Sequence, residues 1–150
     1  QPSRLSKSKN YDKAFKEVLE AEKKLFIMCV GDPFQKLVPF WQLYLYAKEK
    51  GYNDFYADLM EYMRNHPHKG TGNASIHNMY EFAKVTCDLL KTDLTDFFQA
   101  WGFFETGKFH VGDYADYDFD VTPQMVEDTK EYIASKHYPK PQKDITRLSD

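Results

Sequence analysis

The densest cluster of aromatic residues in the sequence most constrains how the chain can fold. Residues 97–104 read FFQAWGFF and place five rings within eight positions. Leu94 and three of these rings stand at i, i+3, i+4 and i+7, the spacing of one buried helix face. We therefore predict a short core helix that begins at a Thr92 cap and ends at Gly102. Its buried face would consist of Leu94, Phe97, Phe98 and Trp101.

Apolar stripes with the same helical spacing recur along most of the chain. Pro39 lies inside one of them, and because proline cannot donate a backbone hydrogen bond, we predict a kink there or a short first piece before Phe40. Glycine, proline and capping residues mark the ends of the other helices. The predicted helices run from Asn10 to about Cys29, from Pro33 to Lys50, from Asn53 through Met63, from Ser75 to about Lys91, from Thr92 to Gly102, and from Pro123 to about His137.

This pattern predicts an all-α fold, an antiparallel bundle of about six helices in a single domain over residues 1–150. Residues 103–121 lose the helical period and become aromatic and acidic, so we predict a short irregular or β segment there, with a strand around 108–111. The ends, 1–9 and 140–150, are polar. We expect the C-terminal end to be exposed unless it docks on the body.

Charge and hydropathy exclude several classes of protein. The net charge is −3, with lysines and glutamates interspersed, which argues against a nucleic-acid partner. No run of 18 apolar residues is present, so we predict no membrane-spanning segment. Cys29 and Cys87 both fall on apolar stripes, which favours two buried thiols, although a disulfide between them stays open.

Five oxygen-bearing residues follow the spacing of a calcium-binding loop. They occupy offsets 1, 3, 5, 7 and 12, where such a loop places its ligands: Asp116, Asp118, Asp120, Thr122 and Glu127. The sixth position of the loop needs glycine for a sharp turn, and Val121 stands there instead. These residues are candidate calcium ligands, and the alternative is that the acidic residues only precede the positive end of the last helix.

Three histidines are candidate zinc ligands, namely His66, His68 and His77. No cysteine or carboxylate stands near them at a ligand spacing, so surface histidines are the alternative. No HExxH, GxSxG or phosphate-binding-loop motif is present, and we predict no catalytic residue. The aromatic residues between Phe103 and Phe119 could either stack on sugars or pack the non-helical segment.

Three blocks of sequence resemble a known family. They are FWQLYLYAKEKGYNDFYADLMEYMR at 40–64, FAKVTCDLLKTDLTDFFQAWGFF at 82–104 and VTPQMVEDTKEYIASKHYP at 121–139. In this order they resemble the helical part of the enhancin-like zinc metallopeptidases, the M60 family, which includes viral enhancins and bacterial mucin-degrading peptidases.

The resemblance implies a function and also limits it. Members of the family bind zinc through HExxH and a downstream glutamate, and this chain lacks them. It would therefore be a non-catalytic, helical, C-terminal piece of a longer secreted or cell-surface peptidase, inactive alone and supporting the active-site cleft. Zinc, the rest of the peptidase chain and a glycoprotein substrate such as a mucin are implied for the full-length protein. The alternatives are a self-standing helical module that binds peptide or glycan, and a calcium-binding helical domain.

Overall fold

The computed structural model describes residues 2–26, 33–67, 73–113 and 115–150, and for 33, 73–75, 113 and 115 it describes the backbone alone. Eight α-helical segments lie in these ranges, and three of them have only four or five residues. They are α1 (Arg4–Lys7), α2 (Asn10–Ala14), α3 (Pro33–Lys36), α4 (Val38–Glu49), α5 (Phe55–Asn65), α6 (Asn73–Leu90), α7 (Thr95–Ala100) and α8 (Pro123–Ser135). A π-helical turn (Phe15–Leu19) extends α2, and a 3₁₀ turn (Ile145–Arg147) lies near the C-terminus.

The predicted β segment is more extensive than the strand expected around 108–111, because residues 107–113 and 115–121 form a pair of strands. Strands β1 (Gly107–Asp113) and β2 (Ala115–Val121) pair antiparallel, with Phe109 opposite Phe119. On β2, acidic residues alternate with Tyr117, Phe119 and Val121, which is the period of a strand with one buried face. The prediction of a mostly helical fold with a short β segment near 103–121 is confirmed, and the antiparallel bundle stays a prediction.

The first long helix is shorter than predicted. It ends at Leu19 instead of continuing toward Cys29, which lies outside the described residues. The Lys23 ammonium group donates to the carbonyl of Leu19 at 3.0 Å and to that of Ala100, at the end of α7, at 2.9 Å. One side chain thus satisfies carbonyl groups at two helix ends that have no partner within their own helix.

Residues 24–26 do not continue the α-helix, and Gly102 allows them to lie against the end of α7. The backbone N–H of Phe26 donates to the Gly102 carbonyl at 2.8 Å, so this segment runs against the end of α7. The φ of Gly102 is +85°, and a Cβ added there would lie 2.3 Å from the Lys24 carbonyl oxygen. Only glycine permits both this backbone conformation and this approach. The predicted role of Gly102 as the end of the helix is confirmed.

Other helix boundaries confirm or correct the sequence predictions. Pro39 lies in the first turn of α4, after the separate piece α3, as the sequence predicted. Thr92 does not cap α7. Its hydroxyl instead donates to the Leu90 carbonyl and accepts from the Lys50 ammonium group at 2.7 Å. Leu94 occupies the N-cap position without a side-chain hydrogen bond, and the Asp93 carboxylate just before it accepts from the backbone N–H of Thr95 at 3.0 Å.

The predicted aromatic core is confirmed. Leu94, Phe97 and Phe98 are buried, and Trp101 has no exposed surface. Phe98 contacts Phe82 and Phe103 through tilted and edge-on ring pairs, an arrangement that favours aromatic packing. These ring contacts pack α6 against α7 and against the residue that follows Gly102.

The C-terminal segment docks on the body instead of being an exposed end. The Gln42 side chain on α4 donates to the carbonyls of Thr146 at 2.7 Å and Leu148 at 3.0 Å. Its amide oxygen accepts from the Trp101 indole N–H at 3.1 Å. Ile145 is buried next to these contacts. Gln42 thus links α4, α7 and the C-terminal segment through one fully buried amide.

Candidate functional site

An apolar surface with a depression on each side of Phe40 is the main candidate site. We call this surface the Phe40 face and define it by five residues: Phe34, Leu37, Phe40, Tyr56 and Met60. The first depression is a cavity of about 520 Å³ between α1, α3, α4 and α5, and Phe34, Leu37 and Tyr56 line it. The second is a cavity of about 420 Å³ that Met60 lines. Phe40 borders both cavities, so the face is continuous.

Local helix geometry explains why these apolar residues face outward. Phe34 and Leu37 belong to the short segment before Pro39, and they are 37% and 48% exposed. On α5, Phe55 and Leu59 point into the core. Tyr56 and Met60, each one residue further along, share a neighbouring face about 100° around the helix, where the Tyr56 hydroxyl donates to the Phe40 carbonyl. Met60 is 50% exposed. The apolar residues of α5 therefore extend beyond its core face, and on the neighbouring face Tyr56 is partly covered and Met60 is exposed.

The second depression is rich in methionine. Met60, Met63 and Met79 line it together with phenylalanine rings. Methionine side chains are flexible and polarizable, and surfaces that bind varied apolar partners use them often. The chemistry of this depression suits an apolar side chain better than a sugar or an ion.

Polar groups lie at one edge of the first depression. The Asp150 carboxylate accepts from the backbone N–H and hydroxyl of Ser3, at 2.8 and 2.7 Å, and from the Tyr11 hydroxyl at 2.7 Å. Burial opposes ionisation of Asp150, but the hydrogen bonds from Ser3 and Tyr11 outweigh it and lower the pKa of this carboxyl group. The Arg4 guanidinium group lies 4.5 Å from the centre of the Phe34 ring. This edge therefore carries both an anion and a cation.

The candidate zinc ligands do not form a described cluster. The His66 Nδ1 lies 2.9 Å from the Tyr62 carbonyl oxygen, and its ring stacks on Tyr62. His77 is exposed on α6, and His68 lies outside the described residues. Within the described ranges, no three side chains of histidine, cysteine, aspartate or glutamate are placed to hold a metal ion. Zinc binding by these histidines stays a prediction.

The candidate calcium ligands lie along an extended strand and do not surround a point. Asp116, Asp118 and Asp120 alternate on β2, where alternate residues are about 7 Å apart. The Thr122 hydroxyl caps α8 by accepting from the Met125 N–H, and Glu127 is exposed on that helix. This confirms the predicted helix start, and calcium binding stays a prediction.

His110 on β1 forms a small exposed cluster with two of these aspartates. Its Nδ1 lies 2.8 Å from Asp118 and its Nε2 lies 3.3 Å from Asp116. The hydrogen bond to Asp118 is the main cause that raises the pKa of His110, and the charges of both aspartates add to it. The cluster favours the protonated form of the His110 imidazole and connects β1 to β2.

The remaining candidate residues serve packing where the structure describes them. Phe103, Phe104 and Phe119 are buried, which favours the packing alternative over sugar stacking. Cys87 is a buried free thiol, and burial is the main cause that raises its pKa to about 12. Cys29, the other thiol that the sequence predicts to be buried, lies outside the described residues. No described helix combines the length and the apolar character that crossing a bilayer requires.

The apolar pattern of the sequence does not predict the Phe40 face. It puts Met60 in one stripe with Phe55 and Leu59, because helical spacing alone does not show which apolar positions a neighbour covers. The available signal was the width of the stripe, since Phe55, Tyr56, Leu59, Met60 and Met63 extend around more than one face of α5.

Known proteins match most of this chain. The family model for Peptidase M60, enhancin and enhancin-like, matches residues 2–102. A metallopeptidase solved in complex with Tn antigen is 26% identical with a TM-score of 0.78, and the match covers 91% of this chain and 27% of that chain. A metallopeptidase from Bacteroides thetaiotaomicron is also 26% identical, with a TM-score of 0.75 and coverage of 88% and 24%. The chain thus spans about a quarter of the length of these solved structures. Among curated proteins, none matches it.

The residues that the structure describes do not fit the zinc that such metallopeptidases imply. The sequence contains no HExxH motif. The side chains that the structure describes include no group of three candidate ligands. The HExxH ligands of such a centre are therefore not among the residues of this chain.

Proposed function

Because the chain belongs to the Peptidase M60 family of enhancin and enhancin-like proteins, we propose that it is the non-catalytic helical part of a longer zinc metallopeptidase. In this proposal residues 1–150 are one domain that supports the active-site cleft, and the rest of the peptidase chain holds the zinc. The substrate is a glycoprotein such as a mucin, and the enzyme is secreted or lies at the cell surface.

One observation carries the proposal: the structural match covers nearly all of this chain but only 27% of the metallopeptidase solved with Tn antigen. A part of that size can lack the catalytic centre, and the sequence contains no HExxH motif. The Tn antigen in the matched structure supports a substrate that carries a glycan. A glycoprotein substrate in turn favours a location outside the cytosol.

The experiment compares the 150-residue chain with the longer protein encoded by the same gene. Zinc content is measured by elemental mass spectrometry, and activity is measured as cleavage of a mucin-type glycoprotein. We expect one equivalent of zinc and cleavage for the longer protein, and neither for the 150-residue chain. The matched control is the longer protein with the HExxH glutamate replaced by glutamine. Zinc or cleavage in the 150-residue chain, or their absence from the longer protein, would contradict the proposal.

A self-standing module for peptide or glycan is the second candidate, and the two apolar cavities on the Phe40 face favour its peptide form. Trp41 lines the first cavity, whereas Trp101 is fully buried. A ligand in that cavity should therefore change the fluorescence of the chain, and the change should disappear in Trp41→Phe. The same measurement of metal content, made for calcium, tests the calcium-binding alternative.

A further inference from the structure

We propose that the Phe40 face is the surface through which this chain packs against the rest of the peptidase. The inference rests on the proposed function, because it requires that the chain be part of a longer peptidase. It adds the location and the chemistry of the contact, which are an apolar centre at Phe40 and a charged edge at Arg4 and Asp150.

Apolar exposure concentrates on this face. Among the described residues, the exposed large hydrophobic side chains are Phe34, Leu37, Met60 and Tyr132. Three of these four belong to the Phe40 face. Tyr132 lies on α8, outside the face, and its hydroxyl donates to Asp88 at 2.6 Å. Contiguous exposed apolar surface marks sites of interaction.

The shape of the face also suits a protein contact. The two cavities lie side by side and share Phe40, so they would accept two or more apolar side chains that project from one partner element. Arg4 and Asp150 lie at the edge of the first cavity. An apolar centre with a polar rim is the usual anatomy of a protein interface.

The rest of the peptidase is the occupant that the comparisons favour. The chain spans 27% and 24% of the two solved metallopeptidases, so about three quarters of such a protein lies outside it. A part of that size must contact the remainder over some surface, and the exposed apolar face is the least favourable one to leave in water. Residues 27–32, which join Phe26 to α3, lie outside the described residues.

Oxidation of methionine by hydrogen peroxide tests the inference, because the rate follows the exposure of the sulfur. Met60 is half exposed in this chain and would be buried in the longer peptidase. We therefore expect its oxidation to be about fivefold slower in the longer protein than in the 150-residue chain. Met125 lies on α8, away from the face, and its rate should be the same in both proteins. Peptide mass spectrometry measures each rate.

A pair of variants of the longer protein tests the cause of the protection. Leu37→Lys places a charge on the face at a position that is half exposed in this chain, so it should restore fast oxidation of Met60. Glu61→Lys changes the neighbouring exposed residue on α5 and should leave Met60 protected. Equal protection in both variants would show that the protection does not depend on the Phe40 face and would overturn the inference.

The other occupants give different results, and each would overturn the inference. Protection of Met60 that rises with the concentration of the 150-residue chain indicates a second copy. Protection of the longer protein only after glycoprotein is added indicates the substrate. Slow oxidation in the 150-residue chain at every concentration indicates that its own residues cover the face. Fast oxidation of Met60 in a longer protein that binds zinc and cleaves mucin would overturn this inference while the proposed function stands.

Discussion

Replacement of Gln42 by leucine should weaken the link between α4, α7 and the C-terminal segment. Leucine keeps most of the volume but cannot donate or accept, so the Trp101 N–H and the Thr146 carbonyl lose their partner. Both residues are buried, and an unsatisfied buried polar group costs about 1–3 kcal/mol. Loss of the hydrogen bond to the Leu148 carbonyl should cost less free energy, because that residue is only half-buried.

The two lost partners sum to about 2–6 kcal/mol, and the greater hydrophobicity of leucine offsets about 1 kcal/mol of this. We expect the free energy of unfolding to fall by about 3 kcal/mol and Tm to fall by roughly 6–12 °C. Urea and thermal denaturation followed by circular dichroism measure both quantities. Gln99→Leu is the matched control, because Gln99 donates to Glu105 near the surface of α7; its effect should stay within about 0.5 kcal/mol.

A double-mutant cycle with Trp101→Phe isolates the hydrogen bond itself. Phenylalanine has no N–H, so the double variant leaves no unsatisfied indole. The double variant should therefore be less destabilised than the sum of the single variants by about 1–3 kcal/mol. Additive effects, within about 0.5 kcal/mol, would refute the reasoning that Gln42 and Trp101 depend on each other.

Two further perturbations test the hairpin and the turn after α7. The pKa of His110 is higher in the folded chain than in the unfolded chain. Its ion pair therefore stabilises the hairpin below the unfolded pKa, and this stabilisation is lost as pH rises through the folded pKa. Asp118→Asn should lower the NMR titration midpoint of His110, whereas the control Asp120→Asn should leave it unchanged. Gly102→Ala should lower the free energy of unfolding by about 3 kcal/mol or more, because its Cβ would meet the Lys24 carbonyl. Gly51→Ala is the control, because Gly51 also has a positive φ, +79°, but has open space around it, so the loss should be only about 1 kcal/mol. Chemical denaturation measures both losses. Similar losses for the two glycine variants would contradict the role assigned to the close approach.

The helices and the aromatic core could be predicted because their signals are local. Apolar spacing placed Phe97, Phe98 and Trp101 on one face, and Pro39 and Gly102 marked breaks that the structure confirms. These residues act on the backbone within one or two turns. A window of about ten residues therefore contains the information that fixes them.

The features that the sequence did not predict depend on distant partners. The first helix ends at Leu19 because Lys23 and Phe26 bond to the end of α7, about 80 positions further along the chain. The C-terminal segment docks because Gln42 meets carbonyls more than 100 residues away. No local pattern contains either contact.

The second strand of the hairpin and the Phe40 face were not predicted for a different reason, since two interpretations competed for the same residues. The alternation of aspartate with Tyr117, Phe119 and Val121 is a strand pattern, but the acidic spacing also fits a calcium loop. Likewise, the apolar residues of α5 predicted a core face, and some of them instead form the Phe40 face. Spacing identifies apolar positions without showing what covers them.

The buried amide of Gln42 also bears on when the protein can fold during its synthesis. Its partners, the carbonyls of Thr146 and Leu148, are translated more than 100 codons later. Ser3 is likewise bonded to Asp150. A nascent chain that has emerged only as far as α8 therefore lacks the groups that complete its core. Until they emerge, the Gln42 side chain on α4 has no carbonyl partners. Folding of this part is completed only after about residue 148 leaves the ribosome, so a chaperone that protects its apolar surface would act over that interval.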